Sequence, residues 1–173
     1  MKFWKNIPIL LLMVTPALRA TAQTHHSSQA AFDAELSKLL HFTIPTMSVE
    51  ELRRQQRDVL IFDTREKAEY NVSHLPGARY LGYDHFEASR LAGISKDARI
   101  VLYCSVGFRS EKIGERLKEM GFTQVFNLYG SIFEWVNHGF PIEKSPERTT
   151  WEVHAYNEAW SKWVINPKIK MVW

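Results

Sequence analysis

Short apolar runs alternate with helical patterns through the middle of this chain, and that alternation restricts the possible folds more than any other feature. The runs have the length of strands, and they occupy residues 58–63, 78–81, 100–103 and 125–128. Strands that alternate with helices usually pair in parallel, and the connecting helices then cover both faces of the sheet. The sequence therefore predicts an α/β fold with a central parallel sheet and helices on both faces.

Helical patterns surround these runs. Apolar residues repeat at helical spacing in two segments: Phe32, Leu36, Leu39 and Leu40 in residues 31–40, and Ile113, Leu117 and Met120 after the third run. Ser48 and Glu51 form a capping-box pair that predicts a helix to about residue 55. Gly121 is placed to end the helix after the third run. A shorter helix is expected over residues 131–138, before Gly139 and Pro141.

The first residues resemble a secretory signal peptide. Lys2 and Lys5 precede an apolar stretch at residues 7–18, and small residues at 20–22 offer a cleavage site after Ala22. The stretch is shorter than the roughly 20 residues a membrane-spanning helix needs, and an uncleaved anchor is the alternative. We expect a periplasmic or secreted protein, with membrane contact only through this segment if it is not cleaved.

The chain of 173 residues is long enough for one domain with a proper core. We expect a signal peptide at 1–22, a leader with a short helix at 23–45, one α/β domain at 46–142 and an aromatic-rich extension at 143–173. Cleavage removes three of the 22 basic residues and none of the 19 acidic ones, leaving 22 − 3 = 19 of each. The formal charge of +3 therefore does not indicate a nucleic-acid partner.

The chain has one cysteine, Cys104, directly after the third strand-like run. It opens a short segment, Ser105, Val106, Gly107, Phe108 and Arg109, that leads into a helix. Such a turn can direct backbone N–H groups and the positive end of a helix dipole at the thiolate, which lowers the pKa of the thiol. Gly107 allows a backbone conformation that other residues resist. Arg109 can add positive charge or brace the segment by bonding carbonyl groups or a carboxylate.

This arrangement suits covalent sulfur chemistry. A thiolate that attacks a sulfane sulfur donor becomes a persulfide, which a second nucleophile discharges. A cysteine-based phosphatase or arsenate reductase is the alternative enzyme. A Cys-x5-Arg loop for a phosphate-sized oxyanion would need one more residue, and Ser110 stands where that arginine would be. One cysteine and scattered histidines offer no zinc-like spacing, and no glycine-rich nucleotide fingerprint is present. We therefore expect no metal and no cofactor.

Three blocks of sequence resemble the rhodanese family. They are Cys104-x-x-Gly107-x-Arg109-Ser110, the upstream set Asp63-Thr64-Arg65, Glu69-Tyr70 and His74–Ala78, and the closing Gly130-Ser131-Ile132-x-x-Trp135. Ser73 and Ser131 stand where the family often has glycine, and we expect these differences to affect turns only. The resemblance spans residues 46–141 and implies a single rhodanese-like domain with its active-site loop at a strand carboxyl end.

The resemblance also implies a sulfurtransferase of the thiosulfate type, with Cys104 as nucleophile. Its donor is a small sulfur-containing anion or a persulfide, and its acceptor is an external thiol or protein, because no second cysteine exists. A sulfur-carrier or protein-interaction module with little turnover is the alternative. Asp63 and Arg65 are supporting residues: Asp63 is expected to brace Arg109 or the loop, or to cap the next helix. Arg65 is expected to face the pocket or to pair with Glu69.

The last part of the chain is rich in aromatic residues. Trp151, Tyr156, Trp160 and Trp163 approximate one face of a helix. We expect a terminal helix docked on the surface of the domain, and a contact with a partner or a membrane interface is the alternative.

Overall fold

The computed structural model describes residues 25–145 and 148–173. Its centre is a five-stranded parallel sheet in the order β1-β5-β4-β2-β3. The strands are β1 (Thr46–Met47), β2 (Leu60–Asp63), β3 (Arg79–Tyr80), β4 (Arg99–Tyr103) and β5 (Gln124–Leu128). The helices are α1 (Ala30–Leu39), α2 (Val49–Gln55), α3 (Lys67–Val72), α4 (Phe108–Glu119), α5 (Ser131–Asn137) and α6 (Glu158–Ser161). The predicted α/β class and parallel sheet are confirmed.

Side chains alternate across the two faces of the sheet, and each face has its own core. Ile61 and Val101 point to one face, where residues from α1, α2 and α5 cover them. Phe62 and Leu102 point to the other face, where α4 covers them. Because both faces of each central strand are buried, the strands read as continuous apolar runs in the sequence.

One helix begins and another ends at the capping residues that the sequence predicts. The Ser48 side chain accepts a hydrogen bond from the Glu51 N–H at the start of α2. At the end of α4, the Gly121 and Phe122 N–H groups donate to the Lys118 and Leu117 carbonyls at 2.9 and 3.0 Å. These two bonds form a Schellman motif, and Gly121 supplies the left-handed residue that the motif needs, with φ of 88°.

The predicted terminal helix is wrong. The segment instead forms strands and one short helix: β7 (Arg148–Thr150) pairs with β6 (Ile142–Ser145), and β8 (Glu152–His154) pairs in parallel with β9 (Lys170–Val172), with α6 between β8 and β9. The aromatic spacing is misleading because Trp151 and Tyr156 are exposed, whereas Trp160 and Trp163 pack against the core. The expected docking on the domain's own surface is nevertheless present.

The predicted signal peptide lies outside the described residues. Among the residues the structure describes, no helix has the length and apolar character required to cross a membrane.

Candidate active site

Cys104 lies at the carboxyl end of β4, at the sheet edge where ligands bind in open parallel α/β folds. Gly107 has φ of 123°, a conformation that strains any residue with a Cβ, and it directly precedes α4. This turn brings the Gly107 N–H to 3.1 Å from Cys104 Sγ. The loop therefore places a backbone donor against the sulfur atom, as a cradle of N–H groups requires.

The electrostatics of the loop favour a thiolate. Cys104 is almost completely buried, and burial acts to raise the pKa of its thiol. The charge of Arg109 and hydrogen bonds from Ser110 and Gly107 outweigh burial and bring this pKa below its ordinary value. A larger share of the sulfur is therefore ionised at neutral pH than in a free cysteine.

Arg109 braces the loop through a carboxylate on α3. Its guanidinium forms a bidentate pair with Glu69, at 2.6 Å from Nη1 to Oε2 and 2.8 Å from Nη2 to Oε1. Nη2 also donates to Ser105 Oγ at 3.0 Å. Burial acts to raise the pKa of Glu69, but the hydrogen bond and charge of Arg109 lower it. Arg109 thus joins the first residues of the loop to α3.

Three polar side chains behind the loop hold its backbone in place. Asn127, buried on β5, donates from Nδ2 to the Gly107 carbonyl at 3.0 Å, and the Ser110 hydroxyl lies 2.7 Å from Asn127 Oδ1. Ser131 Oγ accepts the Cys104 N–H at 3.2 Å. The prediction that Ser131 affects only a turn is therefore wrong, because its hydroxyl bonds the backbone of Cys104.

Asp63 and Arg65 lie behind the loop. The Asp63 carboxylate accepts hydrogen bonds from the Arg65 guanidinium and from the hydroxyl of Tyr103, the residue before Cys104, whereas it makes no hydrogen bond to Arg109 and does not cap α3, which Glu66 caps. Arg65 is fully buried and pairs with Asp63 at 2.7 Å, so it neither lines the pocket nor pairs with Glu69. The two residues form a buried network beneath the sheet edge, because β2 lies beside β4 with Asp63 in register with Tyr103.

A cavity of about 440 Å³ lies over Cys104. Of the predicted loop residues, Ser105, Val106, Phe108 and Arg109 line it, and Gly107 does not. Other parts of its wall come from outside the loop: Leu39 at the end of α1, Tyr83 and Asp84 after β3, and Tyr156 and Trp160 in the C-terminal segment. The Arg109 guanidinium carbon lies 5.2 Å from the centre of the Tyr156 ring.

The residues that sequence reasoning missed are partners from distant parts of the chain. Glu69 appears in the sequence analysis only as a possible partner of Arg65, although it is the carboxylate that binds Arg109. Asn127 left one signal, since it is a polar residue within an apolar strand. No sequence pattern indicates that the pocket residues Leu39, Tyr156 and Trp160 lie near Cys104, because only the folded chain brings them together.

The fold and this site define a class of protein: a parallel α/β domain with an amide-cradled cysteine at a strand carboxyl end. The family model for the rhodanese-like domain matches residues 48–138, and the chain belongs to this family.

Curated relatives support the assignment. A sulfurtransferase of Allochromatium vinosum is 35% identical over 99 residues, which cover 57% of this chain and 92% of the relative. A tRNA uridine(34) hydroxylase of the Onion yellows phytoplasma is also 35% identical over 89 residues, but these cover only 29% of that protein.

Solved structures agree on the fold. A Bacillus halodurans protein superposes with a TM-score of 0.54 at 20% identity, covering 67% of this chain and 85% of that one. The solution structure of a rhodanese-like domain from Anabaena gives the same TM-score at 22% identity, covering 60% of this chain and 81% of that one. At these identities, the likeness supports the fold alone.

Proposed function

We propose that this protein transfers sulfane sulfur through a persulfide on Cys104. The single observation that carries the proposal is the buried thiol, which is held 3.1 Å from the Gly107 N–H under the positive charge of Arg109. A thiolate in such a site is activated as a nucleophile without a separate general base.

The reaction takes place in two displacements. In the first, the Cys104 thiolate attacks the terminal sulfur of a persulfide donor, a new S–S bond forms, and the donor leaves as its thiolate. With thiosulfate the same attack on the outer sulfur releases sulfite. In the second, an acceptor thiolate attacks the outer sulfur of the Cys104 persulfide and restores the Cys104 thiolate. The acceptor is external, since Cys104 is the only cysteine in the chain.

The protein's part is to stabilise anionic sulfur in both steps. The loop N–H groups and Arg109 favour the thiolate before attack, and they favour it again as the leaving group of the second step. The cavity of about 440 Å³ leaves room for the outer sulfur and for an organic group attached to a donor or acceptor.

Intact-mass measurement tests the proposal. After incubation with thiosulfate or an alkyl persulfide, we expect the protein to gain the mass of one sulfur atom and to lose it again on addition of cyanide, with release of thiocyanate. Cys104→Ser should gain nothing and release nothing, while its circular dichroism and unfolding midpoint remain close to those of the wild type. Glu119→Gln, at the far end of α4, serves as the matched control and should load normally.

Undiminished loading of Cys104→Ser would contradict the proposal. A wild-type protein that gains no sulfur from any donor, although folded, would instead favour a protein-interaction role.

We also infer that the chain is exported. The inference rests on the basic, apolar and small-residue pattern of residues 1–22. Expression of the full chain followed by cell fractionation and intact-mass analysis should show a product that begins at Gln23 outside the cytoplasm. Full-length protein that remains inside the cell would contradict the inference.

A further inference from the structure

The cavity over Cys104 has largely apolar walls, and several of them lie outside the region that the family model matches. Leu39 comes from α1, and Tyr156 and Trp160 come from the C-terminal segment. Val106 and Phe108 add apolar surface from the loop itself. A bare inorganic anion makes no use of such walls, whereas a carbon chain gains free energy by contacting them.

Charge in the cavity also disfavours an anion. Among the residues that the structure describes, the lining contains three carboxylates, from Glu66, Glu69 and Asp84, and one cationic side chain, Arg109. Glu69 already matches the charge of Arg109 through two hydrogen bonds. Within residues 25–145 and 148–173, no further cation that lines the cavity balances the negative charges of Glu66 and Asp84.

The nearby cations contact other groups. Lys67 Nζ lies over the rings of Tyr70 and Tyr80, at 4.6 and 4.7 Å from their centres. Arg90 pairs with Glu87 at 2.9 Å. Glu66 accepts the Asp84 N–H at 3.1 Å and caps α3, but these hydrogen bonds leave its negative charge in place. A ligand with a negatively charged tail would therefore meet two carboxylates that have no ion-pair partner among the described residues, in addition to the Cys104 thiolate.

Resting on the function proposed above, we propose that the sulfur donor is an organic persulfide with an apolar chain and a tail that carries no negative charge. Its terminal sulfur reaches Cys104, its chain contacts the apolar wall, and an uncharged or cationic tail is accepted beside Glu66 and Asp84. The Cys104 thiolate takes the terminal sulfur of R–S–SH, the S–S bond of the donor breaks, and R–S⁻ leaves with the electron pair. Charge is conserved, and no further oxidant or reductant takes part.

Three persulfides of nearly equal length test the proposal: those of cysteamine, propanethiol and 3-mercaptopropionate. They differ at the tail, which is cationic, uncharged or anionic. The rate at which Cys104 gains one sulfur is measured by mass spectrometry for each persulfide and for thiosulfate. Each rate is divided by the rate of the same donor with free cysteine, which removes differences in intrinsic reactivity.

We expect the cysteamine and propanethiol persulfides to load Cys104 roughly tenfold faster than the 3-mercaptopropionate persulfide, with thiosulfate also slow, and the difference to shrink at high salt. Loading that is as fast with the 3-mercaptopropionate persulfide and with thiosulfate would overturn this proposal while leaving the persulfide mechanism intact. No loading from any donor would overturn the mechanism as well, so the two failures are distinguishable.

A double variant tests whether the carboxylates of Glu66 and Asp84 cause the discrimination between donors. Glu66→Gln combined with Asp84→Asn should reduce the discrimination against the anionic tail to about twofold. Glu119→Gln changes the charge by one at the distant end of α4 and should leave the discrimination unchanged. Asp84→Asn alone, at an exposed position, should give part of the effect if the double variant folds poorly. Discrimination that persists in both carboxylate variants would contradict the assigned role of these residues.

Discussion

Cys104 combines two properties that normally oppose each other, because it is buried and yet has a lowered thiol pKa. Burial alone disfavours the thiolate. The charge of Arg109 and the hydrogen bonds from Ser110 and Gly107 reverse that effect. The reactivity of this cysteine is therefore a property of a few neighbouring groups, and it can be altered at single residues.

The first prediction concerns pH. Alkylation of Cys104 by iodoacetamide should reach half its maximal rate at a pH below the value of about 8.5 for free cysteine. Arg109→Gln should move this midpoint upward, and Arg109→Lys, which keeps the charge, should move it less. Equal midpoints in all three proteins would show that Arg109 does not set the pKa of the thiol.

The same shift has a consequence for stability. Because the thiol pKa is lower in the folded chain than in the unfolded one, the thiolate stabilises the fold fully above the unfolded pKa. This contribution is lost as the pH falls through the folded pKa. The stability of the wild type relative to Cys104→Ser should therefore decrease as the pH falls from the unfolded pKa of the thiol to its folded pKa.

The second prediction concerns Ser131, which has a left-handed backbone with φ of 54° and bonds the Cys104 N–H. Ser131→Ala loses the hydroxyl and keeps the backbone strain, so it should lower the free energy of unfolding by about 1–2 kcal/mol. Ser131→Gly loses the same hydroxyl but adopts this conformation freely, so it should be about 1 kcal/mol more stable than the alanine variant. Urea unfolding measures both, and equal stability of the two variants would contradict the role of strain.

At the scale of elements, the pair of Glu69 and Arg109 fastens α3 to the first turn of α4. Both side chains are largely buried, at 6% and 14% exposed. Removing one partner of a buried pair leaves the other charge without compensation, so the third prediction is that Glu69→Gln lowers the free energy of unfolding by about 3 kcal/mol. Glu115→Gln is the matched control: its pair with Lys112 is about a third exposed, and its loss should cost under about 1 kcal/mol.

The difference in free energy of unfolding between the wild type and Glu69→Gln should become smaller at low pH. The pKa of Glu69 is lowered in the fold, where the pull of Arg109 outweighs burial, which acts to raise it. A carboxylate of this kind stabilises the fold above its unfolded pKa, and the contribution is lost as the pH falls through its folded pKa. Unfolding measured below about pH 4 should therefore show the wild type and Glu69→Gln closer in stability than at pH 7. A constant difference would indicate that the carboxylate's charge is not what stabilises the pair.

The elements that sequence reasoning predicted well are those with a local signal. The runs at β2, β4 and β5 are apolar because both faces of those strands are buried, and α4 ends at the predicted glycine. β1 was missed because it has two residues and no apolar run. The segment after β7 was misread because aromatic residues repeat there by chance at helical spacing, while their exposure differs.

The residues of the site also fall into two groups: those that a local sequence pattern predicts and those that only tertiary packing brings together. The Cys104 loop is continuous in sequence, so its residues and their cradle were predictable from local chemistry. The pair of Arg109 and Glu69 joins residues 40 positions apart, and the bond between Cys104 and Ser131 spans 27 positions. Nothing in a local pattern specifies such partners, because tertiary packing selects them.

For the whole molecule, the segments on either side of the matched domain pack against each other. Phe32 of α1 stacks on Trp163 with ring centres 5.2 Å apart, and Gln29 donates to the Trp163 carbonyl at 3.1 Å. The Asn137 side chain donates to that same carbonyl and accepts the Ile165 N–H. These contacts hold Leu39 and Trp160, which line the cavity, on their respective segments beside the loop.

The last prediction tests whether this packing supports both the fold and the cavity. Trp163→Ala should lower the free energy of unfolding by about 2–4 kcal/mol, because it removes a ring stacked on the fully buried Phe32. Trp151→Ala, at a ring 44% exposed, should change it by under about 0.5 kcal/mol. Since Trp160 lies three residues from Trp163, the Trp163 variant should also raise the KM for the propanethiol persulfide more than for thiosulfate, which gains little from an apolar wall. Equal increases for both donors would mean that Trp163 supports stability alone.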